Sequence, residues 1–229
     1  MARFNRNRGG RRRESDEPKP EWIPKTEIGR MVKSGQITSV EEIFFMGKKV
    51  LEHEIVEHLY PGLEEETLSV SSTQRMTDNG RKAQFRAIVL VGDRNGHVGI
   101  GAGKSEEVKP AIESAIKNAK RNIIAVPIAS TGTHRHTIPI KVVGKVGSVE
   151  VTLKPAPLGI GLVANDVVKK VLSKAGVKDV WSFSRGRTRN IYNCSMAVID
   201  ALEKLNSMRL KAGGWEEFGK AGKKEQVSS

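Results

Sequence analysis

The stretch from Val89 to Asn122 restricts the fold of this chain more than any other part of it. It joins an Asn-Gly pair typical of a tight hairpin turn, a strand with glycine at every second position, and the apolar spacing of a helix. The alternating glycines leave one face of the strand bare, which permits a close approach to its backbone. We therefore expect a surface that accepts phosphate groups. The glycines are Gly99, Gly101 and Gly103.

The helix after this strand is predicted to have an apolar side and a basic side. Its apolar residues recur at helical spacing and are Val108, Ile112, Ala115, Ile116, Ala119 and Ile123. The same spacing places four cations on exposed faces, namely Lys109, Lys117, Lys120 and Arg121. One side of the helix should therefore pack on the sheet, and the other should present positive charge.

Gly103-Lys104-Ser105 has the ending of a P-loop, the motif that binds nucleotide phosphates. The spacing of the motif fails, because its first glycine should fall at position 98, which is Val98. A P-loop also follows a buried parallel strand, whereas this strand is the second arm of a hairpin. A phosphate-using enzyme is the weakest of the alternatives, and we expect no cofactor and no small-molecule substrate.

The charge of the chain favours a polyanionic partner. Its 229 residues carry a formal net charge of +13, and nucleic acid is the commonest partner of so basic a chain. A basic protein that is merely solvated is the alternative. The single cysteine, Cys194, excludes an intramolecular disulfide and a multi-cysteine zinc site. No apolar run is long enough to span a membrane, so we interpret the chain as soluble and intracellular.

The chain divides into five segments of different character. Residues 1–22 are an arginine-rich arm expected to be disordered until bound, and residues 23–65 are an extension of short helices capped by Thr26 and Ser39. His53 and His58 in this extension are five residues apart, so they are interpreted as surface residues and not as a metal pair. The remaining segments are 66–130, 131–206 and an extended tail, 207–229.

The two central segments predict an α+β protein of two small domains. Residues 66–130 read as a three-stranded antiparallel sheet with one helix, and residues 131–206 read as a ββαβα unit. The second unit is expected to have strands near 138–145, 148–153 and 177–184, with helices at 165–175 and 190–206. Strand, helix, strand implies a right-handed crossover and therefore a parallel strand pair.

The first domain resembles a double-stranded-RNA-binding domain, whose helix sets lysines against phosphates and 2′-hydroxyls. Only Phe85 is aromatic between Thr67 and Pro127, which excludes a base-stacking platform on that sheet. More specific motifs in both domains are very similar to the ribosomal small-subunit protein S5 family of the archaeal and eukaryotic type. They are Val89–Asp93, Gly99–Lys104, Ala119–Asn122, Leu153–Gly161 and Ala175–Val180.

This resemblance implies a non-enzymatic component of the cytoplasmic small ribosomal subunit. It implies binding to small-subunit rRNA near the decoding region and the mRNA path, with roles in translational accuracy and subunit assembly. It also implies contacts with small-subunit proteins S4 and S8, and a loop from Met76 to Lys82 that reaches rRNA. A free regulator that binds double-stranded RNA is the other binding alternative.

Two loops of the second domain carry further candidate residues. Arg185, Arg187 and Arg189 alternate before a helix and could bridge successive phosphates; a solvated basic loop is the alternative. Gly159 and Gly161 before a helix could bind an anion, or could pack against S4, and the two interpretations stand evenly. The residues expected to contact a neighbouring protein are Gly159, Gly161, Asn165, Asp166 and Lys169.

The rRNA-binding set combines the arm, the hairpin loop, the basic helix and the loops of the second domain. His134, Arg135 and His136 follow Gly132 in a polar loop, where RNA contact is favoured over metal binding because no third ligand is near. The full set is Arg3, Arg6, Arg8, Arg11, Arg12, Arg13, Arg75, Arg81, Lys82, Lys104, Lys117, Lys120, Arg121, His134, Arg135, His136, Arg185, Arg187 and Arg189.

Overall fold

A computed structural model describes residues 22–130 and 135–207. The predictions for the arginines at positions 3–13, for His134 and for the tail after Ser207 therefore lie outside the described residues. The elements in chain order are α1 (Glu27–Lys33), α2 (Val40–Phe45), α3 (His53–Leu59), β1 (Glu64–Thr77), β2 (Gly80–Gly92), β3 (His97–Ser105), α4 (Val108–Arg121), β4 (Ile123–Ala125), β5 (Ala129–Ser130), β6 (Arg135–Thr137), β7 (Val142–Val146), β8 (Val149–Pro155), β9 (Leu162–Val163), α5 (Asp166–Ala175), β10 (Val180–Arg185) and α6 (Ile191–Asn206).

The three N-terminal helices form a small layer with its own apolar cluster. The predicted caps are confirmed: the Thr26 hydroxyl accepts from the Gly29 amide, and the Ser39 hydroxyl accepts from the Glu42 amide. The buried residues of the cluster include Val40, Ile43, Ile55 and Val56, together with Ile123 at the start of β4. The layer is therefore attached to the first sheet by apolar contact.

The first sheet is antiparallel with the strand order β1-β2-β3-β4, and α4 packs on one face of it. The sequence predicted three of these four strands. The fourth, β4, is only three residues long, and so short a strand has no detectable alternation. At the other edge of the sheet, the pairing of β1 with β2 is interrupted by a bulge between Thr67 and Ser69.

The glycine face of β3 is covered by α4, so the expectation of a phosphate-binding surface there is wrong. A Cβ atom at Gly101 would lie 2.2 Å from the carbonyl oxygen of Ala115. Cβ atoms at Gly99 and Gly103 would each lie 2.4 Å from a carbonyl oxygen of the same helix. The buried side of α4 is accordingly its alanine stripe, Ala111, Ala115 and Ala119.

The second sheet has the order β7-β8-β10-β9, and α5 and α6 cover one of its faces. A parallel strand pair is present, as expected, but it joins β10 to the two-residue strand β9, which was not predicted, and Val180 pairs there with Leu162. The strands predicted near 148–153 and 177–184 correspond to β8 and β10 and are not the parallel pair. The longer neighbours β8 and β10 run antiparallel. Gly144 of β7 repeats the packing of the first sheet, since a Cβ there would lie 1.9 Å from the carbonyl oxygen of Ala197 in α6.

The two sheets share one continuous apolar core. Leu90 and Ile100 of the first sheet belong to the same buried cluster as Val151, Leu172 and Leu202 of the second unit, among others. Burial of this shared surface holds the two units in a fixed relation, because separating them would expose apolar side chains to water. None of the helices in the described part of the chain has the length and apolar character needed to cross a bilayer.

The turn between β2 and β3 caps the C-terminus of α5. The amide of Gly96 donates to the carbonyl oxygen of Ala175 at 3.0 Å, and the amide of Arg94 donates to that of Lys174. These carbonyls have no partner within their own helix, so the turn satisfies them. The carboxylate of Glu64 accepts from Lys174 at 2.6 Å and from Arg94 at 2.8 Å, which adds a charged link at the same place.

Candidate nucleic-acid interface

The strands β1 and β2 extend beyond the body of the protein as an exposed hairpin. Every residue from Val70 to Gln84 is exposed, although the pairing continues to Thr77 opposite Gly80. At the tip, Arg75 pairs with Lys82 and Met76 pairs with Arg81, so the predicted cations surround the predicted turn. Lys82 also binds Glu106 at 2.6 Å, which lowers the pKa of that exposed carboxyl.

The exposed side of α4 and the end of β3 supply a second group of cations. Lys104, Lys117 and Arg121 are exposed, as predicted from the sequence. Lys104 lies in β3 opposite Arg86, a strand position that differs from the loop position of a P-loop lysine. The three cations lie on the same domain as the hairpin and extend its positive charge.

Lys120 is not part of this exposed group, and its expected exposure is wrong. Its side chain is 9% exposed, and its ammonium group binds Glu57 at 2.9 Å and Glu65 at 2.8 Å. Burial works to lower the pKa of Lys120, but the hydrogen bonds that its ammonium group donates to Glu65 and Glu57 outweigh burial and raise the pKa. Lys120 therefore joins α4 to α3 and β1, and its donors are already used within the chain.

His136 is also buried, which corrects its assignment to a polar loop that contacts RNA. It lies in β6 between Arg135 and Thr137, the two residues of that strand that pair with β5, and it is 1% exposed. Its carbonyl oxygen accepts from the amides of Lys178 and Asp179, both at 2.9 Å. His136 thus connects β6 with the segment before β10, and an RNA base cannot reach its ring without a rearrangement.

The loop after β10 holds three exposed arginines in a defined turn. Arg185, Arg187 and Arg189 are all exposed. Gly186 between them has φ +92, and a Cβ there would lie 1.8 Å from the Ser148 carbonyl oxygen, so the loop passes directly over the β7–β8 turn. The side chain of Asn190 then caps α6. The loop geometry is fixed at both ends, which favours a binding role over a solvated loop.

The loop of Gly159 and Gly161 lies open to solvent. Both glycines have positive φ, and an added Cβ would meet nothing within 4 Å at either one. The amide of Gly161 already donates to the carboxylate of Asp179 at 2.7 Å, so it is not available to an external anion. Asp166 and Lys169 are exposed at the start of α5, and Asn165 is half-buried. This arrangement supports the protein-contact interpretation over the anion site.

Comparison with known proteins decides the family. Residues 63–127 match the family model of "Ribosomal protein S5, N-terminal domain", and residues 144–213 match that of "Ribosomal protein S5, C-terminal domain". The chain belongs to the ribosomal protein S5 family. The "Small ribosomal subunit protein uS5" of Methanocaldococcus jannaschii is 51% identical over 87% of this chain and 94% of its own length. That of Aeropyrum pernix is 51% identical over 79% of this chain and 85% of its own length.

The S5 assignment confirms the resemblance found in the sequence and settles the enzyme alternative. S5 proteins are structural, non-enzymatic proteins of the ribosome. The described residues of this S5 chain also hold no group of three or more histidine, cysteine, aspartate or glutamate side chains placed to share a metal ion.

Two features of this S5 chain were missed from the sequence. The carboxylate of Glu52 accepts from the Trp22 ring at 3.0 Å and from the amides of Lys25 and Thr26, which fixes the point where the basic N-terminal segment joins the body. Burial works to raise the pKa of Glu52, yet these hydrogen bonds hold it below its usual range. The second feature is the exposed aromatic pair Trp181 and Phe183, which the alternation of β10 could have revealed.

Proposed function

We propose that the chain is a structural constituent of the small ribosomal subunit that binds rRNA near the decoding and mRNA-entry region. In this role it contributes to subunit assembly and translational accuracy in the cytoplasm. The membership in the S5 family and the relatives named as small ribosomal subunit proteins support the proposal. The net charge of +13 supports a nucleic-acid partner.

The observation that carries this proposal is the exposed hairpin of β1 and β2. A two-stranded ribbon with no core of its own is marginally stable in water. The segment from Val70 to Gln84 is such a ribbon, and its tip carries Arg75, Arg81 and Lys82 against one acidic residue, Asp78. The hairpin therefore binds rRNA phosphates. These phosphates supply the stabilising contacts that the rest of the chain does not make with the exposed ribbon.

The remaining exposed cations hold the orientation of the protein on the rRNA. Phosphate contacts of this kind position a protein without reading sequence. Lys82 exchanges Glu106 for phosphate, since a surface ion pair is worth only about 0–1 kcal/mol. The cations proposed for these contacts, besides the arginines at positions 3–13, are Lys104, Lys117, Arg121, Arg185, Arg187 and Arg189.

A different surface meets the neighbouring proteins S4 and S8. The loop from Leu158 to Gly161, which precedes α5, is open, and its Leu158 is 62% exposed. An exposed apolar side chain beside a bare backbone suits a protein contact better than an RNA contact. Opening the contact with S4 lowers the free energy needed to reach the closed conformation of the subunit. Acceptance of near-cognate tRNA therefore increases.

The rRNA role is tested by reversing the charge of the hairpin tip. Ribosomes with Arg81→Glu and Lys82→Glu should show a subunit assembly defect or altered head movement, while the isolated chain keeps its thermal stability. The control reverses two adjacent exposed lysines of the helical extension, Lys48→Glu and Lys49→Glu, and should comigrate with small subunits in high salt as the unchanged chain does. Normal subunit profiles in the tip variant would contradict this placement of the hairpin.

The accuracy role is tested separately with Gly161→Arg. We expect more near-cognate misincorporation, because the long cation disrupts the proposed S4 contact while the α5 core stays packed. Gly35→Arg is the matched control, since Gly35 also has positive φ and open space around it but lies at the end of α1. Unaltered fidelity in ribosomes shown to contain Gly161→Arg would contradict the S4 contact and leave the rRNA role standing.

A further inference from the structure

The second sheet has one face that no element of the described chain covers. Val180, Val151 and Leu153 point toward α5 and α6 and are fully buried. On the opposite face of β10, Trp181 is 42% exposed and Phe183 is 66% exposed. Two large aromatic rings thus stand side by side on one strand and face solvent.

Exposed cations follow the exposed rings of β10 along the chain. Trp181, Phe183 and Arg185 are exposed in the strand, and Gly186, Arg187 and Arg189 are exposed in the loop. They supply two aromatic rings and then three arginines in the order Trp181, Phe183, Arg185, Arg187 and Arg189. Residues 180–190 contain no acidic residue. The strand and loop therefore form one continuous track of two flat apolar surfaces and three positive charges.

We propose that this track binds a single-stranded RNA segment, with one base on the ring of Trp181, one on the ring of Phe183, and the following phosphates on the arginines. Every base has a π face, so stacking on aromatic side chains tolerates any sequence. Rings two residues apart on a strand are separated by about 7 Å. This assignment extends the proposed rRNA-binding function and rests on it.

The neighbours of the rings fit this occupant. Lys154 lies across from Trp181, and Thr152 lies across from Phe183, so a cation and a hydroxyl border the rings. Glu150 is the acidic residue of this face, and it pairs with both Lys145 and Arg185 in the register of the sheet. The face therefore has a positive balance that complements phosphate.

The other class of macromolecule that suits exposed apolar residues is a protein. Val143 and Val163 are also exposed on this face and add aliphatic surface. Charge favours RNA, because residues 180–190 carry three arginines and no acidic residue, and basic residues beside aromatic rings characterise sites for single-stranded nucleic acid. The following experiment separates the two cases.

The full-length chain is titrated with a 12-nucleotide single-stranded oligouridine and with an abasic strand of equal length, which has the phosphates without the bases. Trp181→Leu with Phe183→Leu preserves apolar surface but removes stacking. We expect oligouridine affinity to fall roughly fivefold or more per ring, with abasic-strand affinity and salt dependence unchanged. Trp181→Phe with Phe183→Tyr should restore binding. Phe45→Leu, which removes an exposed ring in α2, is the matched control and should change nothing.

Normal oligouridine binding by the leucine variant would overturn the stacking proposal. A second result would also overturn the stacking proposal. If small subunits lose a neighbouring protein when both rings are replaced by alanine, but keep that protein when both are replaced by leucine, the face docks a protein. If the unchanged chain comigrates with small subunits but its leucine variant binds oligouridine normally, the proposed ribosomal function stands. Only the stacking site is then contradicted.

Discussion

The backbone amide of Arg94, in the turn between β2 and β3, donates a 2.9 Å hydrogen bond to the carbonyl oxygen of Lys174 at the end of α5. This bond joins the two family domains through main-chain atoms. It requires Gly176 beside it, because a Cβ at that position would lie 2.1 Å from the Arg94 carbonyl oxygen. The helix end of one domain and the turn of the other thus fit together without space for a side chain.

Gly176→Ala should therefore destabilise the whole chain. The substitution places a side chain at a left-handed φ of +88 and makes its Cβ overlap with backbone atoms of Arg94. We expect the free energy of unfolding to fall by about 2–4 kcal/mol. Gly35→Ala is the matched control, with φ +76 and open space, and should cost only about 1 kcal/mol. Urea unfolding measures both. Equal losses for the two variants would contradict the close domain contact.

Gly101→Ala should displace α4 from the first sheet. The added Cβ would lie 2.2 Å from the Ala115 carbonyl oxygen and 2.3 Å from the Ala119 amide nitrogen, and backbone cannot move aside as a side chain can. We expect a loss of about 3 kcal/mol, measured by urea unfolding. Gly62→Ala, whose Cβ meets nothing within 4 Å, is the control. A small loss for Gly101→Ala would mean that the helix lies farther from the strand.

Substitution of Lys120 should affect stability, whereas substitution of Lys117 should affect RNA binding. Lys120→Met leaves Glu57 and Glu65 without their shared cation, and since both carboxylates are partly exposed we expect a loss of about 1–2 kcal/mol with RNA affinity unchanged. Lys117→Met should lower RNA affinity and its salt dependence without altering stability. Urea unfolding and RNA titration are run on both variants. A reversed pattern would contradict the burial of Lys120.

The pKa of Lys120 sets the pH range of its effect. Its folded value is raised above the usual 10.5, so its contribution is fully present below that pH and is lost as the pH rises through the folded value. The stability difference between Lys120→Met and the unchanged chain should therefore stay constant from pH 7 to 9. A difference that fades within this interval would show that another group is responsible.

Asp93 should stabilise the turn that caps α5 in a pH-dependent way. Burial works to raise the pKa of Asp93, but the His97 ring and the amides of Asn95 and His97 lower it below 3.8. Its contribution is therefore present above that pH and disappears as the pH falls through the lower, folded value. Asp93→Asn should cost about 1 kcal/mol at pH 7 and progressively less in acid. Unfolding curves at several pH values test this; a pH-independent loss would contradict the role of the charge.

The helices of the second domain were predictable because their determinants are local. The apolar spacing of Val168, Val171 and Leu172 together with Gly176 defined α5 within one residue of its observed start. The hairpin turns were equally predictable, since Asn-Gly and Asp-Asn-Gly determine the backbone conformation of a turn that is only four residues long. Local chemistry therefore predicted the type and order of the main elements.

The errors arose where a residue's environment comes from distant segments. The bare face of Gly101 suggested an external phosphate, but the chain's own α4 fills it. Lys120 follows the spacing of an exposed cation, and only the tertiary arrangement brings Glu57 and Glu65 to it. His136 was predicted to be a loop residue. Its carbonyl oxygen accepts from the amides of Lys178 and Asp179, which are distant in sequence, and nothing in the segment around His136 indicates these partners.

The bulge at Leu68 gives the exposed hairpin a mechanical character. The bulge lies where β1 leaves the body, and it aims the ribbon by bending and twisting it. From Val70 to Thr77 the ribbon reaches about 26 Å beyond that point at the rise of a strand. Because the body behind it is joined through the shared core and the α5 cap, a force applied at the tip would turn both domains together. If the tip binds rRNA as proposed, the hairpin would act as a lever with its pivot at Leu68, and the open loop at Gly161 would move with the body at the other end.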